Sequence, residues 1–272
     1  MNRFAGLMAV AGCAAAAVVT QPDPVEIIRR SLDATQMDWR QAPAYSYIER
    51  DVRSKRESAP VMKSFEVLMI DGSPYRRLIA IDDRALGPGD QAEVDRMMRN
   101  EIEKRQSESE RERSRRIARY VKERQREHDM MREMVNAFQF RLVGDETVDG
   151  YDCWVLQASP KPGYQPTDRE GRVLTGMAGK LWIDKDHYQW VKVTAAVIKP
   201  VNFYGFLAKV GPGTRFVLEQ EPVTDSLWLP KRFNTQVNAS ALGFLNEDSS
   251  DEEIYQDYKP MSQARVDLRA TK

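Results

Sequence analysis

Phe138-Gln139-Phe140-Arg141-Leu142-Val143 and Tyr151-Asp152-Cys153-Trp154-Val155-Leu156, joined through Asp149-Gly150, decide how this chain folds. Both runs are rich in aromatic and β-branched residues, and Asp-Gly is a strong signal for a tight hairpin turn. The pair therefore reads as two antiparallel strands, the second reaching Ser159. The same grammar repeats downstream. Lys180 to Asp184 and Tyr188 to Val197 form a hairpin across Lys185-Asp186-His187. Phe203 to Val210 and Thr214 to Glu221 follow around Gly211-Pro212-Gly213. Ser226 to Leu229, Arg232 to Leu242, Ile254 to Tyr258 and Arg265 to Leu268 complete the series. Upstream, Tyr45 to Arg50, Val61 to Ile70 and Pro74 to Asp82 read as a meander, with Asp71-Gly72 as its second turn. Hairpin-length spacing without intervening helical periodicity means antiparallel pairing rather than βαβ units. The fold class is α+β.

Two segments break the β pattern. Pro24 to Trp39 reads as a helix, capped by Asp23, with Val25, Ile28, Leu32 and Thr35-Gln36 on its stripe. Residues 91–135 contain no Gly or Pro and carry interleaved charges of both signs. Opposite charges three or four apart support a solvated helix. Apolar residues gather at its two ends (Val94, Met97, Met98 and Ile102; Ile117, Tyr120, Val121, Met130, Met131 and Met134). This pattern predicts a helical hairpin, spanning an insertion at 89–136, with its tip near Gln106-Ser107-Glu108-Ser109. The tip is expected to project into water. Ser107 and Glu110 have capping-box spacing, as do Ser109 and Glu112. The arm is the region expected to dock an envelope partner if one exists.

The N-terminus speaks to location. Arg3 precedes an uncharged run from Phe4 to Val19, which ends in Thr20-Gln21-Pro22-Asp23-Pro24. A positive start, a short apolar core and small residues describe a secretory signal over residues 1–20, leaving one domain over 21–272. The run is shorter than the about 20 apolar residues of a membrane span. The expected location is the periplasm. Val10-Ala11-Gly12-Cys13 has the form of a lipobox, which would lipidate Cys13 and anchor the protein to a membrane. Ala15-Ala16-Ala17 offers an ordinary cleavage site before Val18 and is the favoured reading.

Lys plus Arg and Asp plus Glu number 41 each, so net charge points to neither nucleic acid nor an anionic surface. With Cys13 removed or lipidated, Cys153 stands alone and no internal disulfide forms. Cys153 reads as a small buried apolar side chain. The two histidines, His128 and His187, read as solvent-facing. No metal-ligand spacing, nucleophile elbow, phosphate loop or dinucleotide fingerprint occurs. The expected protein is not an enzyme and carries no cofactor or metal; a hydrolase with an unrecognised carboxylate pair is the weaker reading. Aromatic residues crowd the later strands. Trp182, Trp190, Phe206, Phe216 and Trp228 are candidates to line an apolar cavity, with strand alternation turning some of them outward.

Gly144-Asp145-Glu146-Thr147-Val148-Asp149-Gly150-Tyr151-Asp152-Cys153-Trp154-Val155-Leu156 resembles a hairpin of outer-membrane lipoprotein-sorting-like proteins. Gly179-Lys180-Leu181-Trp182-Ile183-Asp184-Lys185-Asp186-His187-Tyr188-Gln189-Trp190-Val191-Lys192-Val193 resembles the hairpin that follows it there. The arrangement, over residues 138 to 260, is similar to the LolA/LolB superfamily of periplasmic lipoprotein carriers and its envelope-stress regulator relatives. The resemblance implies a strongly curved, unclosed antiparallel sheet with helices plugging its hollow. It implies lipid or lipoprotein acyl chains as ligands and a role in outer-membrane trafficking. The alternative is an envelope sensor or interaction scaffold using the helical arm. The account rests on a greasy hollow, and a hollow lined by acids and histidines would end it. Intact-mass measurement of the exported protein is expected to give a plain amine near Val18; a diacylated Cys13 would establish the anchored form.

Overall fold

The computed structural model describes residues 21–55, 58–166, 171–202, 209–210, 212–237 and 249–261. Its elements run α1 (Pro24–Gln41), β1 (Tyr45–Lys55), β2 (Ser58–Ile70), β3 (Ser73–Ile81), β4 (Arg84–Ala85), α2 (Pro88–Ser107) and α3 (Glu110–Ala137). There follow β5 (Phe138–Val148), β6 (Tyr151–Pro160), β7 (Met177–Asp184), β8 (Trp190–Val197), β9 (Val201–Asn202), β10 (Lys209–Val210), β11 (Arg215–Thr224), β12 (Leu227–Val237) and β13 (Ser249–Pro260). Short 3-10 turns occupy Ala42–Ala44 and Gly171–Gly176.

All strands but β9 and β10 join one antiparallel sheet in the order β4-β3-β2-β1-β13-β12-β11-β8-β7-β6-β5. The last strand lies between the first strand and β12, so the two ends of the chain close its middle. The sheet is not a barrel, because β4 and β5 form its two free edges. Bulges interrupt the register in β5–β6, β7–β8, β11–β12, β1–β13 and β2–β3. Each inserted residue bends its strand and adds twist. Between β7 and β8 the backbones approach so closely that a Cβ on Gly179 would lie 2.1 Å from the Thr194 carbonyl oxygen, which only glycine permits.

The chain leaves the sheet at β4 and returns at β5, the opposite edge. Helix α3, with 28 residues, is about 42 Å long, enough to carry the chain across most of the sheet's width. Ser109 caps it, with the reciprocal bond from the Ser109 N–H to Glu112 Oε2 at 2.9 Å. Of the two expected capping boxes this is the one that forms, since Ser107 lies within α2.

Gln106, Ser107 and Ser109 at the tip are exposed, but the helices on either side of them are docked on the sheet. Arg105, 7 % exposed, donates from Nη1 to the carbonyl oxygens of Ile70 and Ser73 at 2.7 and 2.8 Å, and from Nη2 to that of Pro74 at 3.2 Å. Arg116 donates to the Asp71 carbonyl oxygen and to Ser73 Oγ at 3.1 and 2.8 Å, and forks onto Glu108. The β2–β3 turn is thus gripped by two guanidinium groups. Gly72, at φ +88°, gives Ile117 room: an added Cβ would meet Ile117 Cδ1 at 3.0 Å. Met98 packs on Leu68 and Ile70 below. A charge-rich sequence reads as solvated because side-chain charges repel burial; here the turn's carbonyls supply acceptors that make burial affordable.

Helix α1 caps as expected, its Val25 N–H donating to Asp23 Oδ1 at 3.0 Å. Its buried stripe is Ile27, Ile28, Ser31, Thr35 and Asp38, and Val25 faces solvent at 56 % exposure. Arg105→Met is expected to leave three carbonyls without their donor, costing about 2–3 kcal/mol. Urea denaturation reads the loss, and amide exchange should rise at residues 70–74 and 105–117. Unchanged exchange there would deny the anchor.

Candidate binding site

Strand register assigns every side chain to a face, since directly paired residues point the same way. One row crosses almost the whole sheet: Leu156, Leu181, Val193, Leu218, Phe233, Glu253, Asp51 and Lys63. It begins apolar and ends charged. The hollow side therefore has two parts.

The apolar part lies under α1. Ile27, Ile28, Leu156, Leu181, Ile183 and Trp190 belong to one buried cluster, joined by Val173 and Leu174 from the 3-10 turn. Met131, Met134 and Val135 of α3 pack against it, as does Phe216. Polar contacts hold α1 in place along its length. Arg30 Nη1 donates to the Tyr188 hydroxyl at 2.6 Å and lies over its ring. Trp190 Nε1 donates to Ser31 Oγ at 3.0 Å. The Trp228 N–H donates to Asp38 Oδ1 at 3.1 Å. Tyr188 sits in the left-handed region at φ 61°, unfavourable for a bulky residue, and this turns its ring between Arg30 and Trp154. Asp38 Oδ2 is buried without a hydrogen bond among the described residues. Burial pushes the Asp38 carboxyl up to about 6, against the stabilising Trp228 bond.

The second part is polar. Arg76 reaches Glu49 Oε1 at 2.7 Å and Asp51 Oδ2 at 2.8 Å, and lies 4.1 Å from the Phe65 ring centre. The Tyr255 hydroxyl donates to Glu253. Tyr47 stacks at 5.8 and 5.3 Å from Tyr255 and Tyr258. Two carboxylates thus share one guanidinium, and Glu253 adds its charge through space. Burial, reinforced by Asp51, drives the Glu49 carboxyl well above its usual range even though Arg76 opposes the shift. The tyrosine hydroxyls of 47, 255 and 258 are pushed up by burial and by neighbouring carboxylates. An entirely greasy hollow is therefore not what forms: acids line one half of it. No histidine joins them. His128 is not solvent-facing but 5 % exposed, its ring 4.7 Å from Trp39, and burial lowers its pKa. His187 stays in its turn, mostly exposed, with Nδ1 2.9 Å from Asp184 Oδ2.

The aromatic candidates divide. Trp190 and Phe216 meet in the cluster under α1. Trp182, whose Nε1 donates to Glu146 at 2.8 Å, and Trp228 share a second cluster with Cys153 and Val191. Trp182 pairs with Val155, so it lies on the face away from Leu156 and Leu181. Phe206 and Cys13 lie outside the described residues. Cys153 is buried, and burial pushes its thiol up to about 12, which suits an inert apolar filler. The polar half (Glu49, Asp51, Arg76 and Glu253) carried no motif. Its only sequence signal is charge on alternate positions of a strand, Glu49 and Asp51, facing the same way as Tyr47.

No family model matches the chain, and no curated protein matches it. It is similar to solved structures. One is a LolA superfamily protein from Nitrosomonas europaea, at 10 % identity and a TM-score of 0.36, covering 88 % of this chain and 94 % of that one. A DUF1329 family protein from Desulfovibrio piger gives 13 % identity and 0.37 with the same coverage. A domain named for outer membrane lipoprotein sorting, from Vibrio parahaemolyticus, gives 15 % and 0.35, over 85 % and 92 %.

The raised Asp38 sets a pH dependence with a definite sign. An unfolded carboxyl titrates near about 3.9, so between about 4 and 6 the folded chain holds the extra proton. Its contribution to stability is complete below about 4 and is lost as pH rises through about 6. Asp38→Asn, which still accepts from Trp228, is expected to melt higher than the parent at pH 7.5 and to flatten the pH profile. Equal melting shifts across pH 4–7.5 in both proteins would contradict this.

Proposed function

We propose that this is a non-catalytic periplasmic protein that binds lipid or lipoprotein acyl chains beneath α1, in the traffic of lipids or lipoproteins toward the outer membrane. The observation carrying this reading is the division of the hollow: an apolar floor covered by one amphipathic helix, adjoining a polar half built around Arg76. An amphiphile is the ligand class that uses both. Its chain would replace Ile27, Ile28 and Leu32 on the floor of Leu181, Ile183 and Trp190. Its polar end would lie toward Arg76, Glu49 and Asp51. Each methylene removed from water contributes about 0.8 kcal/mol, so a long chain can offset the displacement of one helix. Entry of the chain would break the bonds of α1 to Tyr188, Trp190 and Trp228 while leaving the strand ladder intact. An N-terminal signal supports export, and no described helix is long and apolar enough to cross a membrane.

An envelope interaction scaffold is the second reading, and one observation favours it. Met97 on α2 and Val121 on α3 are 56 % and 50 % exposed amid charge. Removing residues 93–133 would not separate the readings, because Met98, Arg105 and Arg116 hold the β2–β3 turn. Surface changes do so instead.

Native mass spectrometry of gently purified protein is expected to show a bound lipid, and a fluorescent fatty acid should bind more tightly to Ile28→Ala, whose plug is smaller. Ile28→Ala should also cost about 2–4 kcal/mol of stability. Clean apo protein that ignores the fatty acid would end the carrier reading. Loss of a pulled-down envelope partner in Met97→Glu/Val121→Glu, with fatty-acid binding unchanged, would replace it with the scaffold.

A further inference from the structure

The helical tip forms a second concavity, separate from the hollow. A cleft of about 490 Å³ lies where α2 meets α3, and its walls include Lys104, Arg115, Arg116, Arg119, Glu108 and Glu112. Four cations face two carboxylates. Both carboxylates have hydrogen-bond partners already, so the remaining cations feel them only through space. Glu108 is taken by the Arg116 fork, with bonds of 2.6 to 3.0 Å, which holds its carboxyl below the usual range. Glu112 accepts the Ser109 N–H and hydroxyl at 2.9 and 2.6 Å as the helix cap, and its pKa falls for that reason. Lys104 stands 3.6 Å from Glu101, a loose pair at the surface. Arg115 and Arg119 make no hydrogen bond or salt bridge among the described residues. They are one helical turn apart, so both guanidinium groups present to the same side of α3.

The floor under them is rigid. Arg116 is fixed at once to Glu108, the Asp71 carbonyl oxygen and Ser73 Oγ, and Arg105 fixes the same turn from α2. The cleft is therefore a held shape with spare positive charge on its rim. Paired arginines match the oxygens of a phosphate group, and forked contacts to such an anion are among the stronger hydrogen bonds. We propose that this cleft binds a phosphate-bearing anion, held by Arg115 and Arg119 with Lys104 opposite. The chemistry is shared by a soluble diphosphate and by the phosphate headgroup of a lipid. The site is independent of the hollow: its failure would leave the acyl-chain reading standing, and the reverse.

Two probes distinguish the sources, applied to the full exported protein at low ionic strength. Inorganic pyrophosphate is titrated calorimetrically, and vesicles of phosphatidylcholine with and without phosphatidic acid are used in a flotation assay. The variant is Arg115→Glu/Arg119→Glu, whose side chains are exposed and whose helix signal by circular dichroism should match the parent. Saturable pyrophosphate binding that weakens at least about tenfold in the variant supports a soluble diphosphate. Flotation only with phosphatidic acid, lost in the variant, supports a lipid headgroup. Either binding should also weaken when ionic strength rises to about 0.3 M. Binding of neither probe, or equal binding by parent and variant, overturns the proposal. As a second check, Arg116→Lys keeps a charge but loses the fork onto Glu108, and should weaken binding less than the double variant does.

Discussion

Packing of Ile27 and Ile28 against Leu181, Ile183 and Trp190 is the contact on which the rest depends. An antiparallel sheet with bulges bends, and a bent sheet has an apolar inner face that must be covered. Helix α1 is the cover, and its 18 residues bury five side chains in a stripe toward the sheet. Without it, Leu156, Leu181 and Ile183 would face water, as would the inner edge of α3. Ser31 and Asp38 are small concessions inside that contact: each is buried, and each accepts a hydrogen bond from the β8 or β12 side.

The crossing from β4 to β5 imposes the second constraint. A chain that must travel from one sheet edge to the other needs a stiff connection, and α3 supplies it. Stiffness alone would leave the far end loose. Arg105 and Arg116 remove that freedom by binding the peptide oxygens of the β2–β3 turn, an interaction that costs desolvation and returns several charge-assisted bonds. Arg115 and Arg119, on the same stretch of α3, are exposed and make no hydrogen bond or salt bridge among the described residues.

Polarity along the sheet's inner face then gives the hollow its character. The row from Leu156 to Lys63 changes from apolar to charged between Phe233 and Glu253. Those two residues are twenty positions apart in sequence and adjacent in space, because β12 pairs with β13. On the opposite face, Lys192, Glu219 and Arg232 form an ion-paired ladder facing water. Charge on the outer face is ordinary; charge on the inner face beside a sealed apolar cluster is what gives this molecule a second chemistry.

Hairpin grammar made most of the strands legible. Asp71-Gly72 and Asp149-Gly150 are turns, with Gly72 and Gly150 each at φ +88°. The Ser109–Glu112 cap and the Asp23 cap were equally visible, as local pairs need no tertiary partner to act. Less visible were the insertion of β13 beside β1, the docking of the helical arm, and the burial of His128. Each depends on what a distant segment presents: a free strand edge, a ring of turn carbonyls, the face of Trp39. By itself the sequence determined the period of each segment, its caps and its turns, since these are set within a few residues by backbone sterics and local hydrogen bonds. Only the tertiary structure decided which strands are neighbours, and so which side chains share a face. It thereby placed Glu49 and Asp51 within reach of Arg76, because pairing across a sheet is fixed by long-range burial that no local pattern encodes.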